Sequence, residues 1–191
     1  MKKIAIFISG RGSNMQAIAE ACESGCLQGI AEVVLVFSNV PTAQGLAIAK
    51  QKKIPTANLS HKGYSRSEFD EQVLLLLASY SIDWIVLAGY ARILSPSVVA
   101  AYRQQLINIH PADTQVHQGW GGYEWAYREQ LSETKITIHY VTEELDKGAI
   151  IAQATVNLEG ATSVQEVEKR GLAVEHQFYS KILYQLCLSK K

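Results

Sequence analysis

Apolar residues run almost unbroken through "KIAIFI" (from Lys3), "AEVVLVFS" (from Ala31), "IPTANL" (from Ile54), "DWIVLAG" (from Asp83) and "LINIH" (from Leu106). Short, β-branched runs of this kind read as strands buried on both faces. Between them, "NMQAIAEACES" (from Asn14), "AQGLAIAKQKK" (from Ala43), "RSEFDEQVLLLLASYS" (from Arg66) and "PSVVAAYRQQ" (from Pro96) read as helices. Strand and helix in alternation predict a parallel sheet covered on both sides. After residue 130 the rhythm changes. "TKITIHYVT" and "AIIAQATVNL" are alternating strands joined by "EELDKG", and "VQEVEKRGLAVEHQFYSKILYQLCL" is a long closing helix. The expectation is one α/β domain over residues 1–191: a doubly wound, mostly parallel sheet with an added C-terminal hairpin and closing helix.

Length and charge narrow this picture. The 191 residues suffice for one full core. The 18 basic and 18 acidic side chains cancel, so nothing advertises a nucleic-acid footprint. No apolar run reaches the roughly 18 residues needed to cross a membrane. "MKKIAIFISG" has a signal peptide's lysines but leads into Gly-Arg-Gly-Ser-Asn, so it reads as the first strand. Cys22, Cys26 and Cys187 make no disulfide framework. Cys22 and Cys26 stand four apart on a predicted helix without nearby His, as buried or idle thiols rather than metal ligands, and the expected compartment is the cytoplasm.

Ligands of an open α/β sheet collect at the carboxyl ends of its strands. "SGRGSN" (Ser9 to Asn14) sits at such an end and opens a helix. The N–H groups of Gly12, Ser13 and Asn14 suit a phosphate there, the alternative being a tight turn with Ser13 or Asn14 as N-cap. A dinucleotide is disfavoured, because the third glycine of that fingerprint is missing and "FSNV" offers no acid for a ribose. In "NIHP", Asn108 and His110 share one face of their strand, about 6–7 Å apart. An amide donor beside an imidazole suits attack on a carbonyl, the amide for the oxyanion and the ring for protons. The alternative is a strand-end His bonded to backbone and an Asn that caps the turn. Asp146 in "EELDKG" could orient the ring, or be an ordinary surface turn Asp.

Taken together, "SGRGSN", "NIHP" and "LDKG", with "LAGYARILS" (from Leu87) and "VTEELDKG" (from Val141), resemble the phosphoribosylglycinamide formyltransferases, folate-dependent enzymes of purine synthesis. The resemblance covers nearly the whole chain and implies their Rossmann-like fold. It implies Asn108, His110 and Asp146 as the catalytic set, acting on 10-formyltetrahydrofolate with no metal. It implies Gly12, Ser13 and Asn14 on the phosphate of glycinamide ribonucleotide and Glu175 on the ribose hydroxyls. Arg92, Ile93 and Leu94 match the folate pocket, with Asn108 reaching the formyl group, and Arg66 matches a position near the folate tail. The N-terminal half would then bind phosphate and the C-terminal half folate, in a monomer or homodimer with small-molecule substrates only.

One segment departs from the pattern. Where the family continues its histidine and proline with "SLLP", this chain has "ADTQVHQGWGGYEWA", Ala112 to Ala126. Asp113 there reads as a loop Asx-turn or as a second carboxylate for His110. His139 reads as a satisfied strand histidine rather than a catalyst. The rewritten loop leaves three alternatives to the leading activity: another amine substrate, hydrolysis of the formyl donor, or ligand binding without turnover. A transfer to tRNA or to a sugar nucleotide would need a further domain or a basic surface, and hydrolase relatives carry an N-terminal regulatory domain that a chain starting at strand one is expected to lack.

Overall fold

The computed structural model describes residues 1–189 and contains a single seven-stranded sheet in the order β3-β2-β1-β4-β5-β6-β7. Strands β1 (Lys2–Ile8), β2 (Ala31–Ser38), β3 (Thr56–Asn58), β4 (Trp84–Leu87) and β5 (Leu106–His110) run parallel. Strands β6 (Glu133–Tyr140) and β7 (Ile150–Asn157) add an antiparallel hairpin at one edge. The helices are α1 (Ser13–Ser24), α2 (Gln44–Gln51), α3 (Arg66–Leu77), α4 (Pro96–Ala101), α5 (Gly122–Arg128) and α6 (Val164–Leu188).

The unbroken apolar strands have a direct cause. Ile4, Ile6 and Ile8 of β1 face one core, together with Met15, Leu46 and Leu183 from helices on that side. Ala5 and Phe7 face the other core, which is closed by Phe69, Val73 and Val98 of α3 and α4. Alternating side chains therefore meet protein on both faces. Chain order turns outward in both directions from β1 and β4, which makes their carboxyl ends the switch point where ligands bind. Ser9 links the loops there, donating to Asn39 Oδ1 at 2.5 Å and accepting from the Ala91 N–H at 2.6 Å.

The expected architecture holds, with local corrections. β3 is trimmed to three residues beside Pro55, and the helix expected to run through residue 105 ends at Ala101. Helix α5 was unexpected, since its glycines read as loop. Gly121, left-handed at φ 75°, starts it. A Cβ on Gly122 would stand 2.8 Å from the Pro111 carbonyl oxygen, so glycine serves close packing there rather than a turn. α1 ends at Ser24, which leaves Cys26 outside the helix. Burial pushes the thiol pKa of Cys22 up to about 12 and that of Cys187 up to about 11, so both are inert. No described helix is long and apolar enough to cross a membrane.

Candidate active site

Gly12 turns the chain from β1 into α1 with φ 77° and no side-chain cap, so neither Ser13 nor Asn14 is the N-cap and the first-turn N–H groups stay available. A Cβ on Gly12 would sit 2.8 Å from Gly45 Cα, which explains the glycine by space as well as by conformation. The turn borders a cleft of ≈ 210 Å³ that also reaches Pro111, Tyr123 and Glu175. Glu175 is buried on α6, where both carboxylate oxygens are held: Asn14 Nδ2 donates to one and the Tyr123 hydroxyl to the other. One turn later, Tyr179 anchors the helix by donating to the carbonyls of Leu87 (3.0 Å) and Ile107 (3.3 Å).

At the end of β5, Asn108 and His110 project away from the core that receives Ile107 and Ile109. Asp146 joins them from the turn between β6 and β7, with φ 53°. Its Oδ2 lies 3.5 Å from His110 Nδ1 and accepts the Gly119 N–H at 2.9 Å. Its Oδ1 lies 3.4 Å from both Asn108 Nδ2 and His139 Nε2. His110 Nε2 lies 3.1 Å from the His117 carbonyl, which can only accept, so Nε2 carries the proton and the neutral ring keeps its lone pair on Nδ1. By the same logic His139 Nδ1 donates to the Tyr140 carbonyl at 2.9 Å. Its Nε2 then accepts from Asn108 Nδ2 at 3.2 Å. The two Asn108 amide hydrogens thus rest on His139 and Asp146.

A second cleft, of ≈ 200 Å³, opens beside this cluster and is bordered by Ile93, Trp120 and Leu145 as well as Asn108, His110 and Asp146. A smaller extension of ≈ 50 Å³ reaches Leu94 and Val141. Gly89, Ile109 and Pro111 line both this cleft and the one beside Gly12, so the two adjoin at the end of β5. Tyr90 Oη and Arg92 Nε, from residues lining the second cleft, are buried without a hydrogen-bond partner. Arg92 packs its guanidinium 4.5 Å over the Phe69 ring and donates to the Ser65 carbonyl at 3.3 Å. Arg66 begins α3 with an exposed side chain, outside the residues that border either cleft.

The profile of the formyl transferase family matches residues 2–183. The chain belongs to the formyl transferase family. It is 40% identical to the phosphoribosylglycinamide formyltransferase of Haemophilus influenzae over 184 residues, covering 96% of this chain and 86% of that protein. With the corresponding enzyme of Escherichia coli the identity is 36%, covering 94% and 84%. The crystal structure of phosphoribosylglycinamide formyltransferase from Bacillus halodurans superposes with a TM-score of 0.93 at 35% identity, covering 100% of this chain and 97% of that one.

Electrostatics in this formyl transferase site follow from burial and its compensation. Burial holds the His110 pKa below the ordinary histidine value, although the Asp146 charge and the His117 carbonyl pull it upward. For Asp146, burial raises the pKa, but the Gly119 N–H and the charge that His110 carries once protonated together leave it below the usual carboxylate range. The site therefore sets a neutral base beside an ionised acid. Asp113 does not join them. It forms the Asx-turn, accepting from Gln115 N at 3.1 Å, and pairs with Lys135 at 2.7 Å.

His139 is the satisfied strand histidine expected, and three residues have partners here that the sequence did not assign. His139 pairs across from Asn108 in the β5/β6 register, a relation that only strand pairing reveals. Tyr123 lay in what read as loop. Trp125 stacks on His117 with ring centroids 4.7 Å apart and holds the loop beside His110. Among the described residues, no three His, Cys, Asp or Glu side chains are set to hold a metal ion.

Proposed function

We propose that the chain transfers the formyl group of 10-formyltetrahydrofolate to the amine of glycinamide ribonucleotide, a step of purine synthesis. The observation that carries this reading is the convergence of Asp146 on His110 and Asn108 where two unlike clefts meet. The glycine turn and Glu175 suit a sugar phosphate. The apolar cleft, bordered by Ile93, Trp120 and Leu145, suits a flat heteroaromatic ring.

In this reading the amine nitrogen attacks the formyl carbon. Asn108 turns an amide hydrogen from its long contact with Asp146 to the developing oxyanion. His110 Nδ1 takes the proton that the amine sheds, and Asp146 stabilises the resulting imidazolium. As the bond from formyl carbon to N10 breaks, the ring returns that proton to the departing nitrogen. The products are the formylated amine and tetrahydrofolate. Residues 1–191 act as one domain. The N-terminal half supplies the phosphate turn and the C-terminal half supplies Trp120, Leu145 and the catalytic set. Arg92, Ile93, Leu94 and Glu175 cross that division, and Arg66 is assigned to the distal folate carboxylates. The substrates are small molecules of the cytoplasm.

The test is an absorbance assay with 10-formyl-5,8-dideazafolate and glycinamide ribonucleotide. Release of dideazafolate only when the amine is present is the expected result. Release without the amine would make the chain a hydrolase. Tight binding of both ligands with no release would make it a binding protein, and either outcome overturns the reading.

A further inference from the structure

The loop after Pro111 builds a column of three rings beside the candidate base. The Trp125 indole stacks on the His117 imidazole with centroids 4.7 Å apart and planes 9° from parallel. The His117 ring in turn faces the His110 ring at 6.2 Å and 24°. Trp125 stands on an anchored helix. The Tyr123 ring lies so close to Gly171 of α6 that a Cβ there would fall 2.2 Å from it, and the Tyr127 hydroxyl donates to the Thr162 carbonyl at 3.0 Å. At its edge the His117 ring donates from Nε2 to the Trp120 carbonyl at 3.3 Å. Residue 117 is therefore located from α5, and its main-chain carbonyl with it, 3.1 Å from His110 Nε2.

That placement decides a contest for one proton. A neutral imidazole carries a single N–H, and here two acceptors face its two nitrogens. The His117 carbonyl meets Nε2 at 3.1 Å, while the Asp146 carboxylate, the stronger acceptor, meets Nδ1 at 3.5 Å. Either tautomer sets one ring lone pair against an oxygen. The closer contact is the costlier one to leave without a hydrogen, so the carbonyl wins only while it is held close. We propose that Trp125 and His117 are positioning residues that set the tautomer of His110: their stack holds the carbonyl of residue 117 on Nε2, keeps the proton there and leaves Nδ1 bare. The role belongs to the ring face and the main chain of residue 117, not to its imidazole nitrogens as proton carriers. Its consequence for turnover rests on the proposed function, in which Nδ1 receives the proton of the amine; the tautomer itself does not.

NMR of the isotopically labelled ring nitrogens, on the full chain without substrates, reads the tautomer directly, because protonated and bare nitrogens resonate far apart. A His110→Gln spectrum identifies the His110 signals among those of the five histidines. Well above its titration, wild-type His110 is expected in the Nε2–H form. His117→Ala and Trp125→Ala each remove the stack at a half-buried residue, where truncation is compatible with folding. Each should move the ratio of Nε2–H to Nδ1–H by about threefold or more toward Nδ1–H, as the loss of one aromatic pair allows. His117→Phe keeps a ring in the stack and the same carbonyl, and should hold the ratio near that of the wild type. A wild type protonated on Nδ1 overturns the proposal, as do folded alanine variants with an unmoved ratio or a His117→Phe variant that shifts as far as His117→Ala. In turnover, kcat of the alanine variants should fall with the remaining Nε2–H fraction. A shifted tautomer with unchanged kcat would retain the stack's role and remove Nδ1 as the base of the proposed reaction. A fall in kcat with no shift would overturn the stack's role and leave that reaction standing.

Discussion

Replacing Gly148 with alanine tests how Asp146 reaches the imidazole. A Cβ built on Gly148 falls 1.6 Å from the Tyr140 carbonyl oxygen and 2.7 Å from its carbon. Real Cβ contacts start near 3.0 Å, so the two segments must part by at least about 1.4 Å. Both carry part of the candidate site. The Tyr140 carbonyl holds His139 Nδ1 at 2.9 Å, and the Tyr140 N–H is tied to the Ala149 carbonyl at 3.0 Å. Asp146 stands two residues before Gly148 in the same turn. A misplacement of about 1 Å at reacting groups costs on the order of 10²-fold in rate. Overpacking of this kind costs about 1–3 kcal/mol of stability, or a few degrees in Tm for a chain of this size. Gly148→Ala should therefore remain folded at room temperature while its kcat falls about 10²-fold. Steady-state kcat with a thermal melt checks it. A folded variant with wild-type kcat would refute the reasoning, because the turn would then be free to move without disturbing the carboxylate.

His110→Ala should lose at least about 10²-fold in kcat, as for a missing general acid–base; an unchanged rate in a folded variant would exclude the ring from the reaction. Protonating His110 removes the base, so the acid limb of kcat/KM should lie below the ordinary histidine pKa, as burial dictates. Asp146→Asn removes a charge that raises the His110 pKa and should move that limb further toward acid; a shift toward alkaline pH would reverse the assigned electrostatics. On the stability side, His110 and Asp146 have lowered folded-state values, so the unfolded chain binds more protons as pH falls. Their contribution is complete above the unfolded values and is lost on acidification, which urea midpoints across pH 7 to 3 would follow. Glu175, whose pKa burial raises, acts with the opposite sign: its contribution is present below the unfolded value and fades as pH rises through the folded one. Glu175→Ala should chiefly raise the KM of the ribonucleotide, and an unchanged KM would leave the carboxylate a purely structural role.

What could be read from the sequence follows from how local each signal is. The strands of the parallel sheet are continuous apolar runs, and α6 carries its own Ser163 cap, whose hydroxyl accepts the Glu166 N–H at 3.2 Å, so both were legible. Asn108 and His110 share a face by strand period alone. Asp146 was legible only through its resemblance to a motif, since nothing within the turn says that it folds back onto β5. His139 needed the β5/β6 register, and Tyr123 needed the contact of α5 with Gly171, both long-range facts. Helix α5 was hidden because Gly121 and Gly122 look alike in sequence but act differently. The first supplies a left-handed start, and the second lets the Pro111 carbonyl approach.

The loop after Pro111 departs from the family pattern at just the positions flanking the imidazole, yet the site around that imidazole is intact. The reason lies in which atoms the loop lends. His110 Nε2 is held by the carbonyl of His117 and Asp146 Oδ2 by the N–H of Gly119, both main-chain groups. Side chains there can be exchanged so long as the backbone keeps its path, and new side chains keep it. Asp113 ties the start of the loop to Lys135 of β6 and Gln153 of β7, and Gln118 donates to the Thr114 carbonyl at 2.9 Å. His117 stacks on Trp125, donates from Nε2 to the Trp120 carbonyl at 3.3 Å, and sits ahead of the positive-φ Gly119 that aims its N–H at the carboxylate. Two leucines and a proline can hold a loop by burial and stiffness; aspartate, histidine and tryptophan hold this one by pairing and stacking. The segment serves the candidate site through where two backbone atoms lie, so different side chains beside His110 are compatible with the same placement of imidazole and carboxylate.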